Sequence, residues 1–279
     1  MDDGLTKAFD WATYSGDAWT RRWRELDVAL ADLAPKLHAA IVDALPARPF
    51  KAFDVGCGAG STSEWLAHER PDATIVGCDL SPSLIRLATD RLSDLDSVSF
   101  RLGDAQDFVA REGPFDLIFS RHGVMFFDDP IAAFRAMRAS ISPGGALVFS
   151  CFQDWQKNPW ASRLESAVAG KQVPSPGEQG GGFAFADPGH VRQILGSAGW
   201  VEASVQQAPF RYAAAVGDDA TDKACEFLSD IGPAARALNH LPEPDRPAAV
   251  ERMRSVIAQY RLGAAIEFPA AAWIWTARA

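Results

Sequence analysis

The sequence predicts an α/β protein: a doubly wound, mostly parallel sheet of seven strands, with a helical segment ahead of it and a helical cap inserted before its last strand. Three observations carry this. From Phe50 onward, short apolar runs alternate with amphipathic helical stretches, the pattern of a parallel sheet covered on both faces. The first run closes in FDVGCGAG, Phe53 to Gly60, which sets an acidic residue and three alternating glycines between a strand and a helix. Later runs end on Asp79, Asp104 and Ser120, and carboxyl ends of strands are where open parallel sheets bind their ligands.

Each element has its own signal. Trp19, Trp23, Leu26, Leu30, Leu33, Leu37 and Ile41 recur at steps of three and four, which places them on one face of a helical segment that Pro35 breaks or kinks. The first strand spans residues 51–55, and Ser61 or Thr62 can cap the helix after the glycines. The second strand, 73–78, ends at Asp79, and Ser81-Pro82 supplies a cap and a proline suited to a first helical turn. Residues 98–102 and 115–120 form the third and fourth strands, the latter after the turn Gly113-Pro114. Asp129-Pro130 opens another helix, and Pro143-Gly144-Gly145 turns the chain into a fifth strand, 146–151. The run PSPGEQGGG, 174–182, reads as a mobile loop, followed by a helix over 187–198 and a strand from Trp200. Residues 219–262 are mainly helical and 268–276 form the last strand. These boundaries divide the chain into an N-terminal helical lid (1–48), a sheet domain (49–216 and 263–279) and a helical cap (217–262).

Composition excludes several classes. The chain of 279 residues can bury a full core. Its hydrophobic fraction of 48% and charged fraction of 23% are ordinary for a soluble protein, and no apolar run approaches the roughly 18 residues of a membrane span. A formal net charge of -9 opposes attraction to phosphate backbones, so nucleic acid is not the expected partner. The start, MDDGLTKAFDW, lacks a basic segment followed by an apolar one, which predicts a cytoplasmic protein. Cys57, Cys78, Cys151 and Cys225 form no C-x-x-C pair, so neither a metal site nor a disulfide framework is expected. Oligomeric state is open between monomer and homodimer.

The glycine turn carries the functional signal. Gly56, Gly58 and Gly60 lack a Cβ, so a ligand can approach their backbone closely. The spacing is G-x-G-x-G, whereas the dinucleotide fingerprint places its third glycine one position later. A nicotinamide oxidoreductase therefore stands as an alternative, as does a non-catalytic binding or regulatory protein on the same fold.

With Asp54, Gly56, Gly58, Gly60, Asp79 and the run Gly103-Asp104-Ala105 in this order, the chain resembles the class I S-adenosylmethionine-dependent methyltransferases. It is similar in particular to the small-molecule branch that includes ubiquinone and menaquinone biosynthesis enzymes, over most of residues 50–210. The resemblance implies a Rossmann-like sheet, S-adenosylmethionine as cofactor with S-adenosylhomocysteine as product, and no metal. It implies that Asp54, Gly56, Cys57, Gly58 and Gly60 form the cofactor turn and that Asp79, beside Leu80, takes the ribose hydroxyls. Asp104, beside Ala105, takes the adenine amino group, and Ser120 and Arg121 stand near the methionine end. Related chains often carry an aromatic residue where His122 stands, and His122 is the candidate general base. The implied reaction is in-line transfer of a methyl group to a small apolar or aromatic acceptor. Tyr14, Trp19 and Trp155 are the expected acceptor-lining residues, and the aromatic residues Trp11, Trp23 and Trp160 concentrate around them, so that lid and cap would enclose the acceptor.

Overall fold

The alternating runs fold into β1 (Lys51–Val55), β2 (Thr74–Asp79), β3 (Val98–Leu102), β4 (Phe115–Arg121) and β5 (Ile141–Phe152), followed by β6 (Val201–Val216), β7 (Arg261–Leu262) and β8 (Ala265–Arg278). These elements are those of a computed structural model, which describes residues 11–177 and 181–279. Strand order is β3-β2-β1-β4-β5-β8-β6. The first five strands pair in parallel, and β8 runs antiparallel between β5 and β6. The two-residue β7 pairs with β8 and makes an eighth strand, too short to leave a periodicity in the sequence. The sheet is thus mostly parallel, as its apolar runs require, with a long antiparallel ribbon of β6 and β8 at one edge.

Several of the helices that cover the sheet begin on a side-chain cap. Ser81 accepts from the backbone N–H of Leu84, Asp104 from that of Gln106, Asp129 from that of Ala132 and Asp187 from that of Gly189. Each satisfies one of the donors that a helix start leaves open. The core between sheet and helices is aromatic: Phe53, Phe115, Phe119, Phe134, Phe149 and Trp275 are fully buried, with Phe149 stacked on Trp275 at 6.2 Å between ring centroids.

The periodic N-terminal run forms three helices, Tyr14–Arg21, Trp23–Ala29 and Ala34–Ala44, not one kinked helix. Pro35 sits in the first turn of the third, where its missing N–H is not needed. Leu33, Leu37 and Ile41 are fully buried as their spacing predicts, and the third helix packs over β4, β5 and β8. Trp23 departs from the core stripe: its ring lies under the Arg91 guanidinium, 4.1 Å away, a cation–π contact. Helices Ala220–Asp230, Gly232–His240 and Arg246–Ile257 lie between β6 and β8 in sequence; the latter two pack on the helix Pro159–Ala169 and the first against β6. The glycine-rich run 174–182 falls partly outside the described residues, at 178–180.

Leu37 ties the N-terminal helices to the sheet, so Leu37→Ala is expected to cost about 2–5 kcal/mol of stability. Urea denaturation followed by far-ultraviolet circular dichroism checks this; a loss below about 1 kcal/mol would mean that the N-terminal helices are not part of the cooperative fold.

Candidate functional site

The sheet reverses direction of winding between β1 and β4, and the crevice there holds a pocket. Its floor is backbone. Gly56, Gly58 and Gly60 all take positive φ, at 64°, 56° and 83°, which glycine adopts without steric cost. A Cβ on Gly56 would lie 3.0 Å from the Gly123 Cα, and one on Gly123 would lie 2.5 Å from the Val55 carbonyl oxygen. The exits of β1 and β4 therefore touch through bare backbone. Ser120 locks the contact: its buried Oγ donates to the Val55 carbonyl at 2.7 Å and accepts from the Gly123 N–H at 3.0 Å. Beyond the Gly58 Cα, in contrast, a Cβ would meet nothing within 4 Å.

Around this floor the structure brings together Gly56, Gly58, Asp79, Leu80, Asp104, Ala105, Arg121, His122 and Trp19, all lining one pocket. The space it spans is about 890 Å³ with the solvent at its mouth included. Asp79 is set by backbone donors: its Oδ2 accepts from Gly58 N–H and its Oδ1 from Ser81 N–H, both at 2.9 Å. Burial pushes its carboxyl upward, and the N–H groups of Ser81, Gly58 and Leu80 oppose that by stabilising the anion. A carboxylate has about four lone-pair positions, so acceptor capacity is left for a ligand's hydroxyl groups.

Four residues of the motif lie elsewhere. Asp54 is buried behind the turn, 1% exposed, where its Oδ2 accepts from the Ser63 hydroxyl at 2.7 Å. Burial pushes its carboxyl up to about 7, against the Ser63 hydrogen bond and the charge of Arg121. Cys57 is buried beneath Gly77, and Gly60 opens the next helix against Phe100 and Ala88. Ser120 holds the floor as described. Trp155 is 1% exposed and packs edge-on against Phe183, 4.9 Å away, in the core beside the cap. Trp160 stacks on Tyr212 at 4.6 Å. The Tyr14 side chain falls outside the described residues. None of the lining residues comes from 217–262.

Trp11, expected from the sequence among the enclosing aromatic residues, lines the pocket as well, together with Leu84, Gln106, Phe126, Phe127 and Asp128, which the sequence reading missed. Trp11 meets Trp19 edge-on at 5.1 Å and Phe126 at 4.9 Å, so the N-terminal segment closes over the β4 exit. A charge fastens it there: Asp27 accepts from Arg121 at 2.7 Å through one oxygen and from the Ser61 hydroxyl at 2.5 Å through the other. The periodicity of the N-terminal run gave no hint of Asp27, since it lies off the apolar stripe.

His122 takes φ 61°, a conformation that costs a non-glycine residue of order 1–3 kcal/mol and that surrounding structure must impose. Its backbone N–H donates to the Ser150 carbonyl at 3.2 Å, its Nδ1 lies 2.9 Å from the Ser150 hydroxyl, and its ring packs on Phe152 at 4.1 Å. Burial, and then the neighbouring Arg121 charge, pushes its imidazole down to about 3. Among the described residues no group of His, Cys, Asp and Glu is arranged to hold a metal ion, and no helix is long and apolar enough to cross a membrane.

The chain matches the family model for a methyltransferase domain over residues 53–149. It is 35% identical over 116 residues to phosphoethanolamine N-methyltransferase 1 of Arabidopsis thaliana, covering 41% of this chain and 23% of that protein. It is 36% identical over 104 residues to the ubiquinone biosynthesis O-methyltransferase of Xanthomonas campestris, covering 36% and 42%. The chain thus spans between about a quarter and a half of these curated relatives. Among solved structures it is similar to the YcgJ protein of Bacillus subtilis, with a TM-score of 0.55 and 17% identity over 87% of this chain and 97% of that one. The fold is the Rossmann-like α/β fold of class I methyltransferases.

The buried imidazole makes stability depend on pH with a defined sign. The folded value of about 3 lies below the 6.5 of a free histidine, so on acidification the unfolded chain takes up a proton that the native state refuses, and stability falls from pH 6.5 downward. His38, stacked on Trp65 and pushed down to about 4 by burial and Arg121, acts in the same sense. Asp54 acts in the opposite sense, because its raised value gives stability at low pH that is lost as pH rises toward 7. His122→Asn removes one of these terms. Relative to wild type, the variant is expected to gain on the order of 2 kcal/mol between pH 7 and pH 5. Urea denaturation of both proteins at the two pH values measures it, and parallel losses would show that His122 is not held neutral.

Proposed function

We propose that this chain transfers the methyl group of S-adenosylmethionine to a small, apolar or aromatic acceptor bound at the β4 end of the pocket. The observation that carries the reading is the convergence of Gly56, Gly58, Asp79 and Asp104 from three adjacent strand exits onto one pocket, within a domain that matches methyltransferases. The residues fit the cofactor. Gly58 leaves open space where a side chain would stand, Asp79 has acceptor capacity for ribose hydroxyls, and Leu80, Leu84 and Ala105 give apolar walls for a flat base beside the polar Asp104 and Gln106. When bound, S-adenosylmethionine supplies a methyl group on a positively charged sulfur, open to in-line attack by a nucleophile.

The chain's own contribution is placement and exclusion of water. Trp11, Trp19, Phe126 and Phe127 supply broad apolar surface over the β4 exit, and the Asp27–Arg121 pair fastens that wall. Orientation of this kind is worth much of the barrier in a displacement that needs no covalent intermediate. His122 is a poor base: drawing a proton from a phenol of pKa about 10 onto a group titrating at about 3 is uphill by on the order of 9 kcal/mol. In this reading residues 1–48 are the lid and 217–262 a cap that supports the fold away from the pocket. The chain acts as a monomer or homodimer, without nucleic acid.

Isothermal calorimetry with S-adenosylmethionine tests the proposal. Asp79→Ala, with its secondary structure checked by circular dichroism, is expected to bind at least about tenfold more weakly, since a lost charge-assisted hydrogen bond is worth roughly 1.5–3 kcal/mol. Equal affinity of variant and wild type would remove Asp79 from the cofactor site, and no binding by wild type would overturn the function.

A further inference from the structure

Among the described residues, five buried side-chain polar atoms lack a hydrogen-bond partner: Trp11 Nε1, His122 Nε2, Trp155 Nε1, Glu267 Oε2 and Trp275 Nε1. Two of these, Trp11 Nε1 and His122 Nε2, belong to residues that line the pocket, and both stand at its β4 end. Trp11 packs on Phe126, which shares with His122 the segment leaving β4. A buried donor or acceptor left unmade costs about 1–3 kcal/mol, and such atoms in native proteins call for a specific explanation.

The hydrogen-bond balance around His122 decides what it offers. Ser150 is fully buried, and its hydroxyl lies 2.9 Å from His122 Nδ1. If Nδ1 carried the ring proton, it would donate to Ser150; the hydroxyl proton would then have no acceptor among the described residues, and Nε2 would be a second unmet group, an acceptor. If the hydroxyl instead donates to Nδ1, both of those atoms are satisfied and the ring proton sits on Nε2. The second arrangement leaves one unmet group instead of two, a donor on a pocket-lining ring. An indole nitrogen is also a donor only. Arg121 is already engaged by Asp27 at 2.7 Å.

We propose that the β4 end of the pocket is a subsite for an oxygen acceptor, a carboxylate, phenolate or enolate oxygen, held by Trp11 Nε1–H and His122 Nε2–H, with His122 acting as donor and Ser150 as its positioning residue. The inference rests on the methyltransferase reading for the identity of the pocket and narrows the ligand there. Two neutral donors favour an oxygen with free lone pairs, and disfavour an ammonium, which would turn its own N–H groups against them. The same chemistry is available from two sources, the methyl acceptor and the amino-acid carboxylate of the cofactor.

Nitrogen-15 NMR of the full chain, labelled in its histidine rings and tryptophan indoles, tests this. The expected result for the unliganded protein is a neutral His122 with its proton on Nε2 between pH 6 and 8, and a changed Nδ1 resonance in Ser150→Ala. Acetate, added alone and then to the complex with S-adenosylhomocysteine, probes the subsite without demanding a shape, and methylammonium is the control. Shifts of both the Trp11 and the His122 N–H signals with acetate in the complex assign the subsite to the acceptor's oxygen. Shifts with S-adenosylhomocysteine that 5′-methylthioadenosine fails to reproduce assign it to the cofactor carboxylate. Trp11→Phe, which keeps an aromatic ring on Phe126, is expected to weaken the responding probe about tenfold. An unprotonated Nε2, a response to methylammonium equal to that to acetate, or silence toward both S-adenosylhomocysteine and acetate would overturn the proposal. Absence of S-adenosylhomocysteine binding in calorimetry would sink the cofactor reading alone, since the acetate arm runs on the unliganded protein.

Discussion

The site depends on one close approach, that of the backbone leaving β1 to the backbone leaving β4. Strand order reverses there, so successive helices depart to opposite sides and leave a crevice. The crevice has a closed floor only because Gly56 and Gly123 meet without side chains and Ser120 bonds to both exits. From that floor the carboxylates of Asp79 and Asp104 stand on one side and the Arg121–His122 pair on the other. A side chain at either glycine would separate the exits and dismantle the pocket from below.

The sequence made the fold legible because parallel strands buried on both faces must be continuously apolar, and their exits must carry caps and glycines. Strand and helix positions followed from those requirements, and Asp79 and Asp104 followed from lying at exits. The motif was less informative about which of its members meet a ligand. In Asp54-Val-Gly-Cys-Gly-Ala-Gly60 the chain turns within a few residues, so neighbours face opposite ways: Gly56 and Gly58 line the pocket, whereas Asp54, Cys57 and Gly60 face the interior and the next helix. The motif therefore mixes pocket-facing and supporting positions that spacing alone cannot separate.

Aromatic residues show the same limit in another form. Trp19 and Trp155 carry equal apolar surface, yet one lines the pocket and the other packs against Phe183 in the core; only tertiary contact distinguishes them. His122 shows the limit in its chemistry. Its place near a strand exit suggested a general base, but burial and then the Arg121 charge lower the proton affinity of its ring. The burial of this polar side chain is a property of the assembled fold, and the residues flanking it in sequence do not encode it.

The carboxylate of Asp27 joins the N-terminal helices to Ser61 and Arg121 while remaining about a quarter exposed. Its hold is therefore of a different kind from that of the glycine floor. A charge pair in direct contact at 2.7 Å and largely shielded from solvent is screened far less than separated surface charges. Salt therefore leaves it mostly in place, whereas loss of the carboxylate would take from Arg121 and Ser61 the acceptor they share and leave the packed strand exits formed.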